Sequence, residues 1–202
     1  MNLGFLASHQ GSNMQAVIDA CRSGYLQAKP SVVISNNSDS EVLVRAKREN
    51  IPNYHLSSKV FQDPEQMDQE MLTIFNRHSI NLIILAGYMK KLGKKTLAAY
   101  RNRILNIHPA LLPKYGGQGM YGQFVHEAVL KAGEKETGVT IHLIDENYDK
   151  GIIIAQCRIP VNKNDSVESL ARRVLEKEHE FLVETLHRII IGELLLPATS
   201  NS

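Results

Sequence analysis

The 202-residue chain predicts an α/β fold: a mostly parallel sheet flanked by helices, with antiparallel strands in the C-terminal half. Three observations predict it. Short, nearly continuous apolar runs alternate with amphipathic stretches through the first half, the pattern of buried parallel strands covered on both faces. That alternation then breaks, and two β-type runs, "GVTIHLI" (138–144) and "IIIAQCRIPV" (152–161), flank the polar loop "DENYDKG" in place of a helical crossover. Hydrophobic residues at 43% and charged residues at 22% are ordinary for one globular domain of this length.

Taken in order, "LGFLAS" (3–8) is the first strand and "SNMQAVIDAC" the first helix, with Met14, Val17, Ile18 and Cys21 on one face. "SVVIS" (31–35) precedes the helical "DSEVLVRAKREN", and "NYHL" (53–56) is a short extended piece. A helix from about Pro64 to Arg77 leads into the strand "LIILAG" (82–87), and "RILNIH" (103–108) follows. "FVHEAVLKAG" reads as a helix ended by Gly133. After the two late strands comes a long helix, with Asp165 at its cap and Glu168 three residues on, as in a capping box. The domain spans 1–196, and "PATSNS" (197–202) reads as a flexible tail.

Composition narrows the class. A net charge of +2 favours neither a nucleic-acid platform nor a membrane surface. No apolar run approaches the ~20 residues that span a bilayer, and no basic region precedes an apolar stretch at the start, so the expected location is cytoplasmic. Cys21 and Cys157 are far apart and outside any CxxC, which fits small core hydrophobes better than a disulfide or a zinc ribbon. Oligomeric state stays open between monomer and homodimer.

Ligands of such sheets sit beyond the carboxyl ends of the strands, and the polar residues there define candidate sites. In "ASHQGSNMQA" (7–16) a glycine-containing turn opens a helix, whose N–H groups at Gly11, Ser12 and Asn13 would cradle a phosphate. The turn is neither GxGxxG nor a P-loop with its Lys. In "LNIHPALLPKY" (105–115), period-2 alternation sends Asn106 and His108 out on one face. An Asn amide donates to a developing oxyanion, and a His donates or accepts a proton near neutral pH. Asp149 is the best candidate to orient and charge that His by raising its pKa, although spacing does not choose among Asp145, Glu146 and Asp149. On the last helix, Val167, Leu170, Ala171, Val174, Phe181, Leu182 and Thr185 form a core stripe interrupted by Glu178. A carboxylate there must be paired or must face a cavity. GxSxG, HExxH and HxE with PCxxC are all missing, and the eight histidines are scattered, so no metal site is expected. His126 and His142 would suit a pocket wall, but a lone His is more often structural.

"NIHPALLPKYGG" resembles the signature of the folate-dependent formyltransferases. "GSNMQAVIDAC", "LAGYMKKL" (85–92), "TIHLIDENYDKGIIIAQ" and "EKEHEFL" extend the resemblance over residues 1–190, and the "GSN" turn narrows it to the glycinamide ribonucleotide branch. The resemblance implies a Rossmann-like formyltransferase fold and formyl transfer from 10-formyltetrahydrofolate, as co-substrate, to the amine of glycinamide ribonucleotide in purine biosynthesis. Small molecules are the implied partners, with no metal. It further implies Asn106, His108 and Asp149 as catalytic residues. Gly11, Ser12, Asn13, Asn106 and Glu178 would hold the ribonucleotide. Met89, Lys90, Lys91 and Leu92, with Asp145, Glu146, Asn147, Tyr148 and Asp149, would hold the folate. The chain departs from the pattern at Pro64, often Arg in the family, and in the longer "GGQGMYGQFVH". There His126 matches one family histidine, and Phe124 stands where another would be.

Overall fold

The computed structural model describes residues 1–198. Five parallel strands come first: β1 (Asn2–Leu6), β2 (Lys29–Ser35), β3 (Asn53–His55), β4 (Leu82–Leu85) and β5 (Ile104–His108). Two more, β6 (Glu136–Leu143) and β7 (Ile153–Pro160), complete a seven-stranded sheet of order β3-β2-β1-β4-β5-β6-β7. β6 and β7 run antiparallel, as the missing crossover helix after residue 144 requires. The order reverses between β1 and β4, so a crevice opens beyond their carboxyl ends.

Helices cover both faces because the central strands are apolar on both. Along β1, Leu3 and Phe5 join one core and Leu6 the other. The first core lies under α1 (Ser12–Arg22), α2 (Glu41–Arg48), α5 (Gln123–Lys131) and α6 (Val167–Ile190). The second lies under α3 (Pro64–Arg77), where Met71, Ile74 and Phe75 pack. Cys21 and Cys157 are free, partly buried and packed against the first core.

Two local features differ from the sequence reading. A short helix, α4 (Lys94–Ala99), has no strong pattern of its own. It is nucleated from outside: the buried carboxylate of Asp68, on α3, accepts hydrogen bonds from Lys95 N (2.8 Å), Thr96 N (3.1 Å) and Thr96 Oγ1 (2.5 Å). The cap of α6 is Ser166, not Asp165, and the capping box pairs Ser166 with Ser169, not with Glu168. Asp165 is drawn into another network. It accepts from Asn162 N at 2.7 Å and from Ser169 Oγ at 2.9 Å, and it forms an ion pair with Arg173. At the chain end, Pro197 O and Ala198 O accept from Arg103 Nη1 and Asn102 Nδ2. The rest of the expected tail, 199–202, lies outside the described residues.

The Arg173 guanidinium holds the Asp165 carboxyl down at about 2, against an ordinary 3.8. The depressed pKa contributes stability that is present above about pH 4 and is lost as pH falls toward about 2. Asp165→Asn should therefore cost about 1 kcal/mol at neutral pH, discounted for solvent screening. The gap to wild type should narrow below about pH 4. Urea denaturation of both proteins across that range measures it, and a gap independent of pH would show that the ion pair contributes nothing.

Candidate active site

A cleft of about 1270 Å³ runs across the carboxyl ends of β1, β4 and β5 and is closed on one side by α6. Every candidate residue from the sequence lines it: Gly11, Ser12 and Asn13; Met89, Lys90, Lys91 and Leu92; Asn106 and His108; Asp145, Glu146, Asn147, Tyr148 and Asp149; and Glu178.

The centre is built by strand register. In the antiparallel β5–β6 pair, Asn106 lies opposite His142 and His108 opposite Thr140, so cross-strand side chains share a face. His142 is fully buried, and its Nδ1–H donates to Leu143 O at 2.9 Å. Its Nε2 then accepts from Asn106 Nδ2 at 3.0 Å, which fixes the amide with nitrogen toward the imidazole and leaves its second N–H free. Thr140 Oγ1 donates to Ala110 O (2.6 Å) and accepts from Leu112 N (3.1 Å), fastening the chain that leaves β5.

That chain turns back on the site. Tyr115 adopts a left-handed backbone, φ 56°, sparsely populated for a non-glycine residue. Its carbonyl lies 2.7 Å from His108 Nε2. A carbonyl only accepts, so Nε2 carries the hydrogen and Nδ1 is the atom left for chemistry. Nδ1 faces Asp149 Oδ2 at 3.8 Å, and Asp149 Oδ1 lies 3.5 Å from His142 Nε2. Gly117 N–H donates to Asp149 Oδ2 at 2.8 Å. Gly116 has no room for a side chain, since a Cβ would strike Leu112 and sit 3.2 Å from the Asp149 Cβ. Asp145 turns its carboxylate to Asn147 N at 2.7 Å. Among the three loop acids, Asp149 is thus the one beside His108.

Electrostatics here are set by burial more than by charge. Burial lowers the His108 pKa, and Asp149 and the Tyr115 carbonyl only partly restore it while His142 lowers it further. This corrects the expectation of a raised pKa: Asp149 pulls in the expected direction, but desolvation of the cation wins. Burial pushes Asp149 up, yet the Gly117 N–H and the nearby His108 bring it below the ordinary carboxylate value. His126, on the first turn of α5, also faces the cleft, with a buried Nδ1 that has no partner among the described residues. Burial first, and then His108, hold it down at about 4.

The two ends differ in character. At α1, Gly11 is the N-cap with φ 68°, and a Cβ there would collide with Val42. No side chain caps this helix, and its first internal bond is Gln15 N–H to Gly11 O. The preceding N–H groups therefore point out of the helix end, with no acidic residue in the first turn. Glu178 lies close by, 8% exposed, with Asn13 Nδ2 at 3.5 Å as its hydrogen-bond partner and no salt bridge among the described residues. Burial pushes its carboxyl up to about 8. Toward the other end, Ser8 Oγ accepts from Met89 N (2.8 Å) and donates to Asn36 Oδ1 (2.6 Å). Lys91 Nζ stands 4.9 Å from the centre of the Tyr148 ring, bridging the two segments 89–92 and 145–149.

Reading the sequence by itself undervalued His142, the Tyr115 carbonyl and the Gly117 N–H. The signal for His142 was its own period-2 spacing from Thr140, matching that of Asn106 and His108.

Comparison with known proteins gives a consistent result. Residues 1–186 match the formyl transferase family. The chain is 40% identical over 194 residues to the phosphoribosylglycinamide formyltransferase of Haemophilus influenzae, covering 96% of this chain and 89% of that one. It is 35% identical to the Escherichia coli protein of the same name, covering 89% and 82%. The crystal structure of glycinamide ribonucleotide transformylase 1 from Symbiobacterium toebii superposes with a TM-score of 0.90 at 34% identity, covering 98% and 92%.

A carboxyl whose pKa is raised from 4.5 to about 8 is neutral in the fold but ionised in the unfolded chain between those values. Stability present below about pH 4.5 is therefore lost as pH rises to about 8. Glu178→Gln should be free of this loss, and its advantage over wild type should grow to about 3 kcal/mol by about pH 7. Denaturant melts near both ends of the range measure it. Equal pH dependence in the two proteins would mean that Glu178 is already ionised and solvated.

Proposed function

The chain belongs to the formyl transferase family, and we propose that it transfers the formyl group of 10-formyltetrahydrofolate to the amine of glycinamide ribonucleotide, giving formylglycinamide ribonucleotide and tetrahydrofolate. One observation carries the reading. Asn106, His108 and Asp149 meet at the strand ends, in one cleft with an uncapped helix N-terminus, a buried carboxylate and the segments 89–92 and 145–149. Similarity to phosphoribosylglycinamide formyltransferases over nearly the whole chain supports it.

In the mechanism we infer, the phosphate lies against the N–H groups of Gly11, Ser12 and Asn13, where the helix dipole and the missing acidic residues favour a dianion. Glu178 and Asn13 receive polar groups of the ribonucleotide, which relieves a carboxyl otherwise held neutral. The pterin lies between segments 89–92 and 145–149. The substrate amine attacks the formyl carbon, and the carbonyl oxygen becomes an oxyanion that accepts the free N–H of Asn106. His108, neutral at rest, takes one amine proton at Nδ1. The resulting imidazolium is favoured by Asp149 and donates to the oxyanion and then to the leaving folate nitrogen. The carbon–nitrogen bond to folate breaks, and that nitrogen leaves with the proton. One proton is lost by the amine and one is gained by the folate.

The decisive assay follows release of tetrahydrofolate from 10-formyltetrahydrofolate with and without glycinamide ribonucleotide. Release should require the amine. Equal release without it would make the protein a hydrolase, with water as the nucleophile at the same His108.

Asp149→Asn removes the charge that pulls the His108 pKa upward and leaves burial unopposed. The imidazole should titrate lower still, and kcat should fall by about 10²-fold or more, while KM for the ribonucleotide changes little. NMR titration of His108 alongside steady-state kinetics measures both. An unchanged titration would dissolve the pairing.

A further inference from the structure

β7 is the last strand of the sheet, and none of its residues lines the cleft. Its Gln156 nevertheless stands in line with the centre. His108 lies opposite Thr140 across β5–β6, and Thr140 lies opposite Gln156 across β6–β7. The three side chains therefore form one row on one face of the sheet. The other face of these strands, with Val139, Ile141 and Ile159, belongs to the core under α6. Gln156 ties the row to the chain that leaves β5. Its Nε2 donates to Leu112 O at 2.9 Å and to Thr140 Oγ1 at 2.8 Å.

This clasp admits only a donor at position 156. Leu112 O can only accept. Thr140 Oγ1 gives its single hydrogen to Ala110 O and also accepts from Leu112 N, so toward Gln156 it too can only accept. Both amide hydrogens are thus used, and Leu112 is held at its N–H and, through Gln156, at its carbonyl. Three residues on, Tyr115 O takes the Nε2–H of His108, and five residues on, Gly117 N–H meets Asp149 Oδ2. Tyr115 makes that contact from a left-handed backbone, φ 56°, which its surroundings must maintain.

We propose that Gln156 is a positioning residue for the formyl transfer. Acting through Leu112, it sets where the Tyr115 carbonyl and the Gly117 N–H stand, and so keeps His108 in the Nε2–H tautomer with Nδ1 toward Asp149. The proposal rests on the function proposed above. Gln156 is exposed, so replacing it disturbs no core packing.

Three variants test it. Gln156→Ala removes the clasp, and Gln156→Glu keeps its shape but sets a carboxylate against two acceptors. Arg158→Ala alters the same face of β7 at a residue whose partner is Glu136, away from the loop. kcat should fall about tenfold in Gln156→Ala and further in Gln156→Glu. KM for the ribonucleotide should stay within about twofold, which also reports that the variants fold. Arg158→Ala should keep the wild-type kcat. Nitrogen-15 NMR of the His108 ring supplies a readout independent of turnover. Wild type should show the Nε2–H form, and both Gln156 variants a mixture of tautomers. An unchanged tautomer in both variants overturns the proposal whatever the rates. An equal loss of kcat in Arg158→Ala also overturns it, since any change to the edge strand would then suffice. If the tautomer shifts as stated but wild type transfers no formyl group, the functional reading fails and the hold of Gln156 on His108 stands.

Discussion

Asn106 faces His142 across the antiparallel pair β5–β6, two residues from His108 facing Thr140, and the centre of the molecule is organised around that register. Because β6 runs opposite to the five strands before it, its polar residues arrive at the same end of the sheet as the carboxyl terminus of β5. A β7 parallel to β6 would have required a crossover helix where the loop carrying Asp149 now lies. A slip of one residue in this pairing would turn His142 away from Asn106 and bury Thr140 without its partners. The loop 109–117, pinned by Thr140, can then return to His108 and Asp149 with backbone groups alone.

The second principle of the site is that charge is withheld until it is needed. Burial lowers the pKa of His108, holds His126 down at about 4 and pushes Glu178 up to about 8. Asp149, beside His108, is held ionised by contacts that favour its anion. Away from that centre the cleft sets Lys90, Lys91 and Lys94 beside Asp145 and Glu146. In the mechanism proposed above, the cation on His108 forms when a proton is delivered from the substrate, beside a carboxylate that favours it.

Much of this was legible in residues close together in sequence. The strand reading of "RILNIH" put Asn106 and His108 on one face, the "GSN" turn marked a helix end, and Glu178 stood out because a carboxylate broke an apolar stripe. What was not legible depends on contacts between distant segments. His142 gains its role from a partner 36 residues away, and α4 from a carboxylate on the helix before it. The net direction of the His108 pKa could not be read from a neighbouring acid, because the burial that overrides it is a property of the assembled core. Asp165 and Ser166 differ by one position, and the choice of cap between them turned on Arg173, a full two turns into the helix.

The spread of the cleft along the chain, from Gly11 in the first helix to Glu178 in the last, has a consequence for how the protein comes into being. A chain emerging from the ribosome can pair β1 to β5 early, since all five precede residue 109, yet it then exposes the face that α6 will cover. Until that helix docks, the turn at Gly11 lacks its carboxylate neighbour and the wall behind Asn13 is open to water. Competence therefore arrives late and all at once, with α6. A fragment interrupted before residue 167 would carry Asn106, His108 and Asp149 in sequence and still have no enclosed place to use them.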